Sequence, residues 1–167
     1  LSSTLELATS FGADRIALFG YAHVPHLIPR QRRIDGTLLP DQYERFRMAA
    51  LGHACLEKAG YRPIGFDHFA LGDDPIAKAV ASGRLRRNFQ GFTDDQADIL
   101  IGLGASAISS FPHLLVQNEK NSGRYRMMLS QDRLAPALGK CRDRDDRRRG
   151  AIIQRLLCDG HARLDAA

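Results

Sequence analysis

This sequence lacks long apolar runs and is poor in cysteine. No uninterrupted apolar run approaches the ~20 residues that a membrane-spanning helix needs, and the chain from Leu1 lacks the basic start and apolar core of a secretory signal. The three cysteines, Cys55, Cys141 and Cys158, are odd in number and widely spaced, which predicts neither a disulfide framework nor a metal-binding repeat. We therefore expect a cytoplasmic protein without a membrane partner.

The overall composition is that of a globular protein. Of the 167 residues, 44% are hydrophobic and 26% are charged, which excludes collagen-like, disordered and coiled-coil classes. The length allows one domain or slightly more. Because Leu1 cannot come from a start codon, we expect the chain to be a processed or truncated piece of a longer protein.

The net charge of +5 comes entirely from the last part of the chain. Residues 1–119 hold 12 basic and 13 acidic side chains, whereas residues 120–167 hold 12 and 6. The densest basic stretch, 142–149, also contains aspartates, and on a helix it places Asp143 four positions before Arg147. A nucleic-acid-binding arm would be more purely basic. We interpret this stretch as a solvated helix face and expect no nucleic-acid partner.

Helix caps and apolar runs alternate along the chain. Caps predict helices from Ser3 to Gly12 and from Asp41 to Gly60, and Asp73-Asp74-Pro75 predicts the start of a short helix that ends at Gly83. In the second helix, Tyr43, Phe46 and Leu51 fall on the face expected to be buried. Apolar runs predict strands at 15–19, 64–69 and 99–104, a long loop separates 21 from 40, and the chain from about Ser122 is expected to be helical. This alternation predicts an α/β fold with a parallel sheet or part of a barrel.

In parallel α/β folds, ligands bind beyond the carboxyl ends of the strands. Those ends are expected at 20–26, 67–71 and 104–110. The last of them follows Gly102-x-Gly104, which resembles a dinucleotide-binding turn but runs into Pro112 instead of a helix. We interpret these glycines as sites of tight packing or of close approach by a ligand.

Several polar side chains lie at predicted strand ends or in predicted loops. His23 and His26 could ligate a metal, although satisfied structural histidines are the commoner outcome. Asp67 and His68 could form a proton-transfer pair. Two arginine clusters, at 30–33 and 84–87, could bind carboxylates in a bidentate manner or be solvated loop charge.

Five blocks of sequence, in this order, carry a resemblance to a known family. They are residues 20–25 (GYAHVP), 31–34 (QRRI), 64–70 (IGFDHFA), 88–93 (NFQGFT) and 103–109 (LGASAIS). Together they resemble the oxygen-independent coproporphyrinogen III oxidases of the radical S-adenosylmethionine superfamily, over residues from about 4 to 158.

The resemblance implies an oxidoreductase of porphyrin and haem biosynthesis. Such an enzyme converts two propionates of coproporphyrinogen III to vinyl groups by oxidative decarboxylation, giving protoporphyrinogen IX. The implied cofactors are S-adenosylmethionine and a 4Fe-4S cluster. The implied fold is the C-terminal portion of a partial (β/α) barrel over 1–120, followed over 121–167 by helices of an incomplete helical domain. We expect the full-length enzyme to be a monomer, and its electron donor is unknown.

Carried over position by position, the resemblance puts Ala22 and Ile108 at contacts with S-adenosylmethionine and Gln90 near a second molecule of that ligand. Our own candidates for substrate binding are Arg32, Arg87, Asp67 and His68, and no catalytic residue is assigned.

The sequence also departs from the family pattern. The cluster-binding motif Cys-x-x-x-Cys-x-x-Cys is absent from these residues, so we expect no metal ligands in this chain and no turnover by it alone. The alternatives are a haem-binding relative of the same superfamily and an inactive truncated product.

Overall fold

The computed structural model describes residues 1–164, which form a mixture of helices and antiparallel sheets. The chain divides into two compact units, Leu1–Ser82 and a second unit that begins at Gly83. Within the described residues, the helices are all too short or too polar to cross a membrane. The predicted division near residue 120, between part of a barrel and a helical domain, stays a prediction.

The first unit packs helices on a three-stranded sheet. Its elements are α1 (Ser2–Ser10), β1 (Arg15–Ala17), α2 (Gln42–Lys58), β2 (Tyr61–Ile64), β3 (His68–Leu71) and α3 (Pro75–Ala81), with short 3-10 turns at Pro29–Arg33 and Gly36–Leu38. The strand order is β1-β3-β2, and both pairs are antiparallel. A core of Leu5, Leu56, Tyr61 and Phe69 joins the first two helices to the sheet.

The single strand predicted at 64–69 is wrong, because the chain reverses inside it. Gly65 has a φ of 61°, a backbone conformation that side chains with a Cβ rarely adopt. This turn separates β2 from β3 and pairs Ile64 with His68. The hairpin therefore puts Asp67 in the connection and His68 at the start of the returning strand.

The predicted starts of α2 and α3 are confirmed. The Asp41 side chain accepts the Glu44 N–H at 2.8 Å, and the Asp74 side chain accepts the Ile76 N–H at 2.8 Å. The predicted capping box is wrong, because α1 begins after Leu1 with no side-chain cap. Its end is as expected, since Gly12 has a φ of 65°.

The predicted buried face of α2 is exposed in this chain. Tyr43, Phe46 and Leu51 are 68%, 73% and 47% exposed, whereas Gly52 and Leu56 are buried. The predicted helix does form, but the face that these three residues share does not pack against the first unit's sheet. Nor is β1 buried on both faces as expected, since Arg15 and Ala17 are exposed.

The second unit contains a hairpin, a three-stranded sheet and two helices. Its elements are β4 (Arg86–Asn88), β5 (Gly91–Thr93), β6 (Ile108–Phe111), β7 (Leu114–Asn118), α4 (Ser122–Leu129), β8 (Pro136–Cys141) and α5 (Arg144–Asp159). Strand β4 pairs with β5, and the other sheet has the order β6-β7-β8. Strand β8 interrupts the region expected to be only helical.

The strand predicted at 99–104 is also wrong. Only Leu100 makes a bridge there, an antiparallel one to Ser110, and the strand proper begins at Ile108. Every strand pair among residues 1–164 is antiparallel, so the expected parallel pairing is not found. Three of these pairs are joined by short turns, and a tight turn can only reverse the chain.

Candidate functional site

In the first unit, the loop after β1 is held in place by one glutamine. The Gln31 side chain accepts the Val24 N–H at 2.6 Å and donates to the Ala22 carbonyl at 3.0 Å. These two bonds replace the backbone pairing that the irregular loop lacks. Ala22, a predicted cofactor contact, therefore lies exposed on a loop whose backbone is fixed.

The predicted Asp67 and His68 pair is formed. The Asp67 Oδ1 atom lies 2.6 Å from His68 Nδ1, and the two side chains are only 16% and 27% exposed. The Leu18 N–H donates to the Asp67 carbonyl at 2.8 Å, which ties the hairpin to the chain that leaves β1. The carboxylate fixes the orientation of the imidazole ring. A pair held in this way can bind an anion or exchange a proton.

The other polar candidates of this unit are engaged locally. His23 Nδ1 lies 3.3 Å from the Tyr21 hydroxyl, and Arg32 Nε donates to the Pro25 carbonyl at 3.3 Å while its side chain stays exposed. These contacts order the loop and leave the charge of Arg32 at the surface.

The residues present do not fit an iron-sulfur cluster. Within residues 1–164 there is no group of three or more His, Cys, Asp or Glu side chains that could hold a metal ion. Cys55 is half-buried, Cys141 is exposed and Cys158 is buried. Burial raises the pKa of the Cys158 thiol, which disfavours the thiolate that a metal requires.

In the second unit, the turn between β4 and β5 presents Gln90 to solvent. The Asn88 side chain accepts the Gln90 N–H at 2.8 Å and the Gly91 N–H at 3.1 Å, which closes the turn. Phe89 and Gln90 project from it, and Phe89 is 61% exposed. The side-chain amide of Gln90 makes no hydrogen bond within the described part of the chain. It can therefore hydrogen-bond a ligand, as its predicted role requires.

Arg87 lies on the same hairpin, where an aromatic ring supports its side chain. Its guanidinium carbon is 4.7 Å from the centroid of the Phe92 ring, which is buried. A guanidinium stacked on a ring gains cation–π stabilisation and keeps a fixed plane. Arg87 is thus ordered and half-buried, as a carboxylate-binding residue needs to be.

Gly102 packs so closely against the Ile108 backbone that there is no room for a side chain. A Cβ added at Gly102 would lie 2.8 Å from the Ile108 carbonyl carbon and oxygen, a distance that real Cβ atoms do not show. The Asn118 amide donates to the carbonyls of Gly102 and Gly104 at 3.1 and 3.0 Å. The turn leads into a strand and not a helix, so it is not a dinucleotide-binding turn. The close-packing interpretation is confirmed at Gly102 alone, because a Cβ at Gly104 would meet nothing within 4 Å, and Gly104 instead has a φ of 107°. The Ile108 side chain is half-buried.

Sequence reasoning missed a cavity in the second unit. It has a volume of about 570 Å³ and is lined by polar and apolar side chains that include Arg87, Arg142, Arg147, Leu100, Leu115 and Leu157. The sequence predicts a solvated helix face for residues 142–149, and only the packing of α5 near the hairpin shows that two of their arginines line a cavity. No local signal could have shown this, because the lining comes from segments far apart in the sequence.

The chain is similar to curated proteins named coproporphyrinogen III oxidase. It is 44% identical over 161 residues to the oxygen-independent enzyme of Bradyrhizobium diazoefficiens, covering 96% of the chain and 36% of the relative. It is 42% identical over 159 residues to the anaerobic enzyme 1 of Cereibacter sphaeroides, covering 95% and 35%. The chain thus spans about a third of the length of these relatives. No family model matches the chain.

A solved structure agrees with these relatives. The coproporphyrinogen III oxidase (HemN) of Escherichia coli, described as a radical SAM enzyme, matches with a TM-score of 0.85 and 35% identity. The match covers 95% of this chain and 36% of the solved one. The expected fold class, as a portion of that enzyme, is confirmed as a mixture of helices and sheets, although the strand pairs within residues 1–164 are antiparallel.

Proposed function

We propose that this chain forms part of an oxygen-independent coproporphyrinogen III oxidase, because it is homologous to about a third of the length of such enzymes. The reaction is the oxidative decarboxylation of two propionates of coproporphyrinogen III to vinyl groups, which gives protoporphyrinogen IX. The observation that carries the proposal is the E. coli match, because it extends over 95% of the chain at 35% identity.

The residues present fit contacts with S-adenosylmethionine. Gln90 offers an amide at an ordered turn, Ile108 offers a half-buried apolar side chain, and Ala22 offers a small side chain beside a fixed backbone. When bound, S-adenosylmethionine supplies the hydrogen-abstracting chemistry. These residues would bind and orient the cofactor, and the cofactor would supply the chemistry.

The same chain contributes groups that suit the substrate's carboxylates. Arg87 presents a guanidinium whose plane is fixed by Phe92, and the Asp67 and His68 pair presents an oriented imidazole. A propionate accepts hydrogen bonds from such donors, and bonds between charged groups are the stronger ones. Arg32 adds positive charge at the surface of the loop that carries Ala22. We assign binding and orientation to these residues.

No step through the 4Fe-4S cluster is assigned to this chain, since its cysteines do not form a ligand set. In the proposed enzyme the cluster is held by residues other than these 167. Turnover therefore requires the cluster-binding portion as well.

The proposal is tested in a chimera in which this chain replaces the matching segment of the Bradyrhizobium relative. Gln90→Ala in the chimera should raise the concentration of S-adenosylmethionine needed for half-maximal rate about tenfold, the value of one lost polar contact. Gln131→Ala is the matched control, because Gln131 is also an exposed glutamine of the second unit and has no predicted contact with the cofactor. If the two variants need the same concentration of S-adenosylmethionine for half-maximal rate, Gln90 does not contact the cofactor.

A further inference from the structure

The cavity of the second unit is lined by both charged and apolar side chains. Leu100, Leu115 and Leu157 supply apolar walls. The positive charge comes from arginines of β4, from Arg142 between β8 and α5, and from Arg147 of α5. Its volume of about 570 Å³ lies in the range of small-molecule sites, roughly 300–1,000 Å³. This combination of surfaces suits a ligand with an apolar body and an anionic group.

The charges around the cavity are not balanced. Arg86 is engaged, since its Nη1 donates to the Gln96 carbonyl at 2.9 Å and lies 3.4 Å from Asp98. The second acidic side chain of the lining, Asp95, accepts the Ala97 N–H at 2.9 Å. Neither aspartate pairs with the arginines near the start of α5.

Arg142 and Arg147 have no carboxylate partner within residues 1–164. Arg142 Nη2 donates to the Phe111 carbonyl, and Arg147 Nε donates to the Asp143 carbonyl at 3.3 Å. Both acceptors are neutral. Within the described residues, no carboxylate therefore balances the positive charge of these two guanidinium groups beside the cavity.

One atom of Arg142 is moreover buried without a partner. Its Nε is inaccessible to solvent and makes no hydrogen bond. Leaving a buried charged donor unsatisfied is costly, so such a group calls for a partner that the protein itself does not supply. The Phe111 carbonyl holds the guanidinium in place, which orients the remaining donors in advance. In general, one guanidinium can donate two parallel hydrogen bonds to a carboxylate.

We propose that this cavity binds a propionate carboxylate of the tetrapyrrole, with Arg142 as the principal donor and Arg147 as a second positive group, while the leucines contact the apolar ring. This inference rests on the proposed function for the identity of the ligand. It assigns to α5 and the end of β8 a part in substrate binding.

The test is a fluorescence titration of the full 167-residue chain with coproporphyrin III, the stable oxidised form of the substrate. The decisive variant is Arg147→Gln, because Arg147 is exposed and we expect its loss to leave the fold intact. We expect its dissociation constant for coproporphyrin III to rise about tenfold, as for a lost charged contact. Arg149→Gln is the matched control, since Arg149 lies on the same helix but does not line the cavity.

Arg142→Lys and Arg142→Gln complete the series. The lysine variant keeps the charge but cannot bind in a bidentate manner, so its affinity should lie between those of the wild type and the glutamine variant. Circular dichroism of each variant separates lost binding from lost folding.

Three outcomes would overturn the inference. If Arg147→Gln and Arg149→Gln bind coproporphyrin III equally well, the cavity is not its site, although the proposed function stands. If S-adenosylmethionine displaces the porphyrin from the cavity, the site belongs to the cofactor. If the wild-type chain does not bind coproporphyrin III at all, the inference fails, and this chain does not by itself hold the proposed substrate.

Discussion

Asp74 links two parts of the first unit, and its removal should destabilise that unit measurably. Its Oδ1 accepts the Ile76 N–H at 2.8 Å and caps α3, while its Oδ2 accepts Arg15 Nε at 2.8 Å and ties β1 to that cap. The carboxylate is 7% exposed and the arginine 48%. One side chain thus holds the start of a helix and the edge of a sheet together.

The expected cost of Asp74→Ala follows from these two contacts. Loss of a helix cap costs about 1 kcal/mol. The ion pair adds less than a buried one would, because the half-exposed arginine is screened by solvent. We expect a total loss of about 2 kcal/mol in the free energy of unfolding, measured by urea denaturation with circular dichroism. Asp73→Ala is the control, since Asp73 is exposed and caps no helix.

The same residue predicts a dependence on pH. Burial alone would raise the pKa of Asp74, but the hydrogen bonds from Arg15 and from the Ile76 N–H outweigh it and lower the pKa below its ordinary value. A lowered folded-state pKa means that the stabilisation is fully present above the unfolded pKa of about 3.9 and is lost as the pH falls through the folded value. The difference in stability between wild type and Asp74→Ala should therefore be constant near neutral pH and shrink below about pH 4. A difference that persists unchanged into strong acid, or an effect no larger than that of Asp73→Ala, would refute this reasoning.

Two further predictions concern the second unit and the metal. Gly102→Ala should lower the free energy of unfolding by about 1–3 kcal/mol, because the new methyl group would clash with the Ile108 backbone. Gly150→Ala is the control, since a Cβ there meets nothing within 4 Å, and it should be neutral or slightly stabilising. Chemical denaturation measures both variants. Equal effects at the two glycines would show that Gly102 is not a packing site. Anaerobic reconstitution of the chain with iron and sulfide should leave no cluster stoichiometric with protein after gel filtration, because its cysteines form no ligand set; a stable 4Fe-4S absorption spectrum would contradict this.

Local signals in the sequence predicted local structure well. The helix starts at Asp41 and at Asp73-Asp74-Pro75 are predictable because a cap depends on the side chain and the few residues after it. Strand pairing depends instead on distant residues. The apolar run at 99–104 is of the kind that forms a strand, yet Gly102 packs against the Ile108 backbone and its carbonyl accepts from Asn118. The run therefore supports the following sheet without joining it as a strand.

In the candidate site, too, local features could be predicted from the sequence, whereas features that depend on distant residues could not. The pairing of Asp67 with His68 could be anticipated because the residues are adjacent, and the structure adds that a hairpin places them. The role of residues 142–149 could not be anticipated, since a mixed-charge helix face and a cavity wall have the same pattern. Only the packing of α5 near β4 distinguishes them.

Whether this chain can supply the matching third of a working oxidase is tested most directly by the chimera with the Bradyrhizobium relative. Under anaerobic conditions with S-adenosylmethionine and a reductant, it should convert coproporphyrinogen III to protoporphyrinogen IX, measured by chromatography after oxidation to the porphyrins. The relative with the same segment deleted should form no product. A chimera that folds and carries its cluster but leaves coproporphyrinogen III unchanged would contradict the proposed function.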